Sequence, residues 1–185
     1  MILPILAYGD PVLKKLAEEI DKDYPGLDKV IEDMYDTMYD AKGVGLAAPQ
    51  VNKSIRLFLV DATPYAEEDM DLDGFKEVFI NPVILEEEGT EWIFNEGCLS
   101  IPGIREDVKR KPKITVEYYD EDFNLKEKVF EGMAARIIQH EYDHVEGVLF
   151  TDRINLLRRR LFNGKLKNIA KGNVEVDYKM KFPLK

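Results

Sequence analysis

Leu27, Val30, Ile31, Met34, Met38 and Ala41 recur at three- and four-residue intervals, with Asp and Lys between them. That spacing predicts an amphipathic helix stopped by Gly43. A second helix is predicted over residues 131–145, closed by Gly147. A third and basic one spans 155–170, with a weak point at Asn163-Gly164. Asp10-Pro11 joins an N-cap to a first-turn proline and predicts a short helix through Ile20. Apolar runs bounded by turn residues predict strands at 55–60, 78–80, 83–87 and 90–94, with Asn81-Pro82 and Gly89 as breaks. Residues 114–119 and 125–130 form a predicted hairpin. Along the tail, Val174, Val176, Tyr178, Met180 and Phe182 alternate with charged residues, the pattern of a half-buried strand. Residues 43–50 are too rich in glycine, with Pro49, for regular structure, and 61–74 is an acidic loop. Strands in antiparallel-type runs give an α+β class.

Composition narrows the class. A chain of 185 residues is expected to form one domain, and 45% hydrophobic residues exclude a disordered polymer. One Cys excludes an internal disulfide. No run reaches the ~18 apolar residues of a membrane span. The apolar start contains Pro4 and lacks a basic leader, so no signal peptide is expected. A free thiol without an export signal points to the cytoplasm. A net charge of −10 argues against DNA and against general nucleic-acid binding. The exception is local: Arg153, Arg158, Arg159, Arg160, Lys165, Lys167 and Lys171 follow one another with no acid between. That run is either a solvated face or a patch able to touch RNA.

Both histidines of the chain lie in Gln139-His140-Glu141-Tyr142-Asp143-His144. On a helix, H-E-x-x-H puts two imidazoles one turn apart on one face, where both reach one metal ion. Glu141 stands about 100° round the helix, near enough to contact a water on that ion without ligating. A catalytic site of this kind needs a third protein ligand. Phe150 occupies the place of the third His found in one metalloprotease class, and no acid lies between Arg153 and Glu175 to serve as a downstream carboxylate. Cys98, beside Gly97 in Glu96-Gly97-Cys98-Leu99-Ser100, is the remaining soft ligand. Its other reading is a small buried hydrophobe. Residues 43–48 have the form G-x-G-x-x-A, but a dinucleotide loop follows a strand and opens a helix, and this one runs into Pro49.

Taken together and in order, G-V-G-L-A-A-P-Q (43–50), E-G-C-L-S (96–100) and Q-H-E-Y-D-H (139–144) resemble the peptide deformylase family. Members of that family remove the formyl group from the N-terminal formylmethionine of new polypeptides. The resemblance covers roughly residues 3–152. It implies antiparallel sheets packed around a central helix carrying H-E-x-x-H, to which this sequence adds a second C-terminal helix and a terminal strand. It implies Cys98, His140 and His144 as metal ligands, Glu141 as catalytic carboxylate, and the Gln50 side chain and Leu99 N–H as oxyanion donors. Val44, Gly45, Gly97, Arg105, Arg136 (through its stem) and Ile137 fall on the substrate cleft.

Ligand softness alone favours zinc. The resemblance instead implies one Fe(II), with zinc, nickel or cobalt as substitutes. Implied partners are formyl-Met nascent peptides and, through the basic helix 155–170, the ribosome; neither a membrane nor DNA is expected. Residues 153–185 depart from the shorter members, which end in a helix, and are expected to be a variable helix plus strand. Two rivals are an H-E-x-x-H endopeptidase and a structural metal module, the latter requiring a closed four-ligand site.

Overall fold

The computed structural model describes residues 1–185. The chain opens with β1 (Ile5–Leu6), a 3-10 turn at Pro11–Lys14, α1 (Leu27–Asp40), β2 (Gly45–Ala47), a second 3-10 turn at Ala48–Val51 and β3 (Leu57–Asp61). Then come β4 (Lys76–Glu88), β5 (Trp92–Cys98), β6 (Ile101–Arg110), β7 (Lys113–Tyr119) and β8 (Leu125–Glu131). The last part holds α2 (Gly132–Val145), α3 (Leu156–Leu161), α4 (Asn163–Ala170) and β9 (Met180–Lys181). Five strands form an antiparallel sheet in the order β2-β3-β4-β7-β8; β5 and β6 form a separate antiparallel pair, and β1 pairs in parallel with β9.

Side-chain alternation explains how the sheet serves two helices. Phe58 and Val60 of β3 face one way, with Phe79, Val116, Tyr118 and Phe130, and meet Ala134, Ala135, Ile137 and Ile138 of α2. Leu57 and Leu59 face the other way, with Val78 and Ile80, and meet Ile31, Met34 and Met38 of α1. Each such buried aliphatic side chain contributes roughly 1.5–3 kcal/mol. A third cluster joins Leu6, Leu13, Ile104, Val108, Phe150, Leu166 and Ile169, tying α4 to β6. The helix carrying the two histidines is therefore buried on most sides, and one face of it, from Met133 to Glu141, meets a cleft.

Several expectations are corrected. Helix structure after Asp10-Pro11 stops at Lys14, because the following backbone is claimed elsewhere: Ala17 N–H donates to Val145 O and Glu18 N–H to Ser54 O. Within residues 43–50 only Gly43 and Val44 are irregular; from Gly45 the chain forms an edge strand followed by a 3-10 turn. The two strands predicted around Asn81-Pro82 are one strand with a register shift. Asn81 takes a positive φ there, and its side-chain amide exchanges hydrogen bonds with the Ile20 backbone. β3 pairing ends at Ile80, so Pro82 breaks no bond on that side. The tail alternates in burial as predicted, yet only Met180–Lys181 joins a sheet. α1, α2 and the β7–β8 hairpin stand as predicted, while the helix break expected at Asn163-Gly164 falls one residue earlier, at Phe162 between α3 and α4. No helix is long and apolar enough to cross a membrane.

Candidate active site

β5 ends on Cys98 and turns through Leu99-Ser100 into β6, which presents the thiol to the inner face of α2. His140 and His144 come from successive turns of that helix. One donor atom from each of the three residues lies within 4.8 Å of the others, and Cys98 Sγ stands 3.4 Å from His144 Nε2. Donors round a tetrahedral ion with zinc-type bond lengths are about 3.5 Å apart, so this soft, partly buried set fits one divalent metal ion. Phe150, standing where another metalloprotease class has its third His, stacks on the His140 ring at 6.2 Å.

The ring of His140 is oriented from behind. Its Nδ1 lies 2.9 Å from Glu96 Oε1; a carboxylate only accepts, so Nδ1 carries the hydrogen and Nε2 faces the thiol. Glu96 is itself held by Arg110 at 2.8 and 2.9 Å and by Arg136 at 2.7 Å. Arg110 also reaches Asp143 at 2.8 Å, and Arg153 joins Asp143 from the other side. Burial alone would push the Glu96 carboxyl up, but its partners His140 and Arg110 outweigh it and hold it well below the usual range. Burial likewise opposes charge on His140, yet Cys98 and Glu96 hold its ring well above the ordinary value. His144, buried and facing His140, is pushed down. A dication among the donors takes over the place of that proton, since a ligating ring is neutral.

Glu141 is almost fully buried, and its Oε2 has no hydrogen-bond partner. Burial pushes its carboxyl up to about 7, against the pull of His140 and Arg110. A nearby dication would draw that value down again. The carboxylate is packed against Gly45: a Cβ at residue 45 would stand 2.6 Å from Glu141 Oε1. Opposite it, Gln50 accepts from Ala47 N–H through Oε1 (3.0 Å), which fixes the amide. Its Nε2 then donates to Ser100 Oγ (3.1 Å) and lies 3.6 Å from Cys98 Sγ. The Leu99 N–H, in the two-residue link from β5 to β6, makes no hydrogen bond within the chain.

These groups open onto a cleft of about 830 Å³. Every residue assigned to the site from sequence lines it except His144, which lies behind as the deepest donor. Arg136 lines the cleft by its stem alone, because its head is turned inward to Glu96, Val108 O and Trp92 O. Arg105 is exposed at the mouth, clamped by Asn95. Sequence reasoning missed Glu96 and Arg110 as supports of His140. It also missed Tyr65 of the acidic loop and residues 175–178 of the tail as cleft walls. The signal for Arg110 was its place on a strand where charged residues alternate in burial, which hydropathy cannot register.

An H-E-x-x-H helix completed by a thiolate across a cleft defines a mononuclear metallohydrolase centre. The chain belongs to the polypeptide deformylase family, whose model matches residues 2–160 and whose members are metal-dependent enzymes that deformylate nascent peptides. It is 59% identical over 189 residues to a peptide deformylase of Flavobacterium johnsoniae, covering 98% of this chain and 96% of that one. It is 57% identical over 190 residues to that of Christiangramia forsetii, covering 99% and 97%. The solved peptide deformylase of Thermus thermophilus superposes with a TM-score of 0.82 at 41% identity, over 93% of this chain and 99% of that one.

Proposed function

We propose that this chain is a peptide deformylase, hydrolysing the formamide at the N-terminal formylmethionine of newly made polypeptides to formate and a free amine. The observation that carries the reading is the meeting of the three motifs at one cleft, with Cys98, His140 and His144 donors within 4.8 Å and Glu141 beside them. Cys98, His140 and His144 hold one divalent ion, which when bound supplies a Lewis acid and acidifies water. Glu141 accepts the proton of the attacking water and returns it to the leaving nitrogen. Gln50 Nε2 and the Leu99 N–H donate to the formyl oxygen as negative charge grows there; one such donor is typically worth ~2.7–4 kcal/mol. Val44, Ile137 and the stem of Arg136 take the methionine side chain. Gly45 and Gly97 let the substrate backbone come close, and Arg105 stands at the entrance. The test is formate release from formyl-Met-Ala-Ser by metal-loaded protein; an enzyme of full metal content that releases none overturns the reading.

Fe(II) is the proposed native ion, with zinc, nickel or cobalt as replacements. Metal analysis of protein purified without oxygen checks this, and a zinc-only site with full activity refutes it. Residues 1–185 are proposed to work as one catalytic domain, with 153–185 as its variable end, because the third core cluster is shared between β6 and α4. For the ribosome, Arg153, Arg158 and Arg159 are already paired with Asp143, Glu106 and Asp152. That leaves Arg160, Lys165, Lys167 and Lys171 to meet RNA. Charge reversal at these four should abolish co-sedimentation with ribosomes, and unchanged co-sedimentation sinks the proposal. A cytoplasmic site of action follows from the substrate.

A further inference from the structure

The tail is extended beside the cleft with almost no sheet to hold it. Val174, Val176, Tyr178 and Met180 are half-buried and their neighbours exposed, but only Met180 and Lys181 pair, with β1. Side chains hold the rest. Asp177 accepts from Lys42 Nζ at 2.7 Å, and Tyr178 donates its hydroxyl hydrogen to Leu99 O at 2.7 Å. The second contact lands on Leu99, which carries one proposed oxyanion donor, and the first on Lys42, just before the glycine loop that ends in Gln50.

The two-residue link from β5 to β6 is pinned at separate points. Ser100 O accepts from Tyr8 N–H at 2.8 Å, and Ser100 Oγ from Gln50. Leu99 has one hydrogen bond, the one to Tyr178. On its other side the Leu99 side chain meets Gly43 so closely that a Cβ there would stand 2.8 Å from Leu99 Cδ1. Leu99 is thus clamped between the glycine loop and the tail.

We propose that Tyr178 is a positioning residue for deformylation: its hydroxyl fixes the Leu99 carbonyl and so aims the Leu99 N–H at the reacting oxygen. This rests on the deformylase reading of the site. A donor stabilises a transition state to the extent that it is in place beforehand, so loosening it lowers kcat more than it raises KM.

The experiment is Tyr178→Phe, which removes one oxygen and keeps the ring. Formate release from formyl-Met-Ala-Ser is measured with metal content, Tm and hydrogen exchange over residues 97–101. The expected result is kcat down about tenfold with KM within about twofold. Metal content and Tm stay unchanged, and exchange over 97–101 speeds up. Wild-type kcat in the variant overturns the proposal, as does a loss of activity that only tracks lost metal or lost fold. If the wild-type protein itself releases no formate, the deformylase reading fails; exchange still decides the clamp, and unaltered exchange over 97–101 overturns it.

Discussion

Glu96 Oε1 accepts from His140 Nδ1 at 2.9 Å, and that contact turns the other ring nitrogen toward Cys98. The carboxylate sits at the centre of a buried group of charges, with Arg110 bridging its two oxygens and Arg136 on Oε2. Glu96→Gln keeps the shape but replaces an acceptor with a donor at one position. Metal affinity should weaken by roughly 10–100-fold, read by chelator competition. The two arginines would lose a buried counter-charge, so Tm should fall as well. Unchanged metal affinity would mean that the ring is held by its packing on Phe150 alone.

Glu141→Gln separates chemistry from binding. Glu141 lies outside the set of three donors, and its Oε2 is buried without a partner. The amide should keep the metal while formate release falls by roughly 10²–10⁴-fold, the usual worth of a general acid or base. Removing a buried, poorly satisfied carboxylate should leave Tm unchanged or raised. Substantial residual turnover at full metal content would remove Glu141 from the mechanism.

Much of this site was legible because its chemistry lies in contiguous motifs: spacing placed His140 and His144 on one helix face, and elimination left Cys98. The fold was legible where apolar periodicity carried it, as in α1, α2 and the β7–β8 hairpin. It was not legible in β6, Ile101–Arg110, where Pro102 and Gly103 interrupt the apolar pattern and the inward positions alternate through Glu106 and Arg110. Those charges are buried because Arg158, Glu96 and Asp143 pair with them from distant parts of the chain. The tail shows the converse: its alternation correctly foretold half-burial, but no local signal says whether a sheet or a cleft wall lies on the buried side.

Two glycines should fail in different ways. Gly45 has an ordinary φ, and its added Cβ would collide with the Glu141 carboxylate, so Gly45→Ala should lower activity at least tenfold while the fold persists. Gly147 has a φ of +75°, and its Cβ would meet the Lys14 carbonyl oxygen at 2.8 Å. Gly147→Ala should therefore cost about 1–3 kcal/mol of stability. Denaturant melts beside formate assays distinguish the two, and a swap of phenotypes would contradict the geometry.

Tyr39 donates to Asp61 at 2.6 Å, and the Asp61 backbone N–H holds Val44 O in the cleft wall. Burial, then the bond to Asp61, pushes the Tyr39 phenol up to about 12 from an ordinary 10. Burial would raise Asp61, but Thr63 and Tyr39 outweigh it and lower its carboxyl. The raised phenol stabilises the fold fully below pH 10, and that contribution is lost as pH climbs toward 12. The lowered carboxyl contributes above its ordinary 3.8 and loses this as pH falls further. Tyr39→Phe should flatten both ends of a Tm–pH curve, modestly because the pair is solvent-screened. A curve identical to wild type would show the bond to be idle.

Removing the metal tests whether the centre is catalytic or structural. A structural site is closed by four protein ligands and folds its domain; here three donors gather, and no second Cys or third His exists in the chain. The three hydrophobic clusters pack the sheet, α1, α2 and α4 without reference to the ion. Chelation should therefore abolish formate release while the circular dichroism spectrum stays native. Stability should drop only by the linkage of one lost ligand, about 2.7 kcal/mol if the ion had been present at a hundred times its Kd. Restoring a divalent ion should restore turnover without a refolding phase. Unfolding on chelation would instead make the ion part of the core and turn Cys98, His140 and His144 into scaffold.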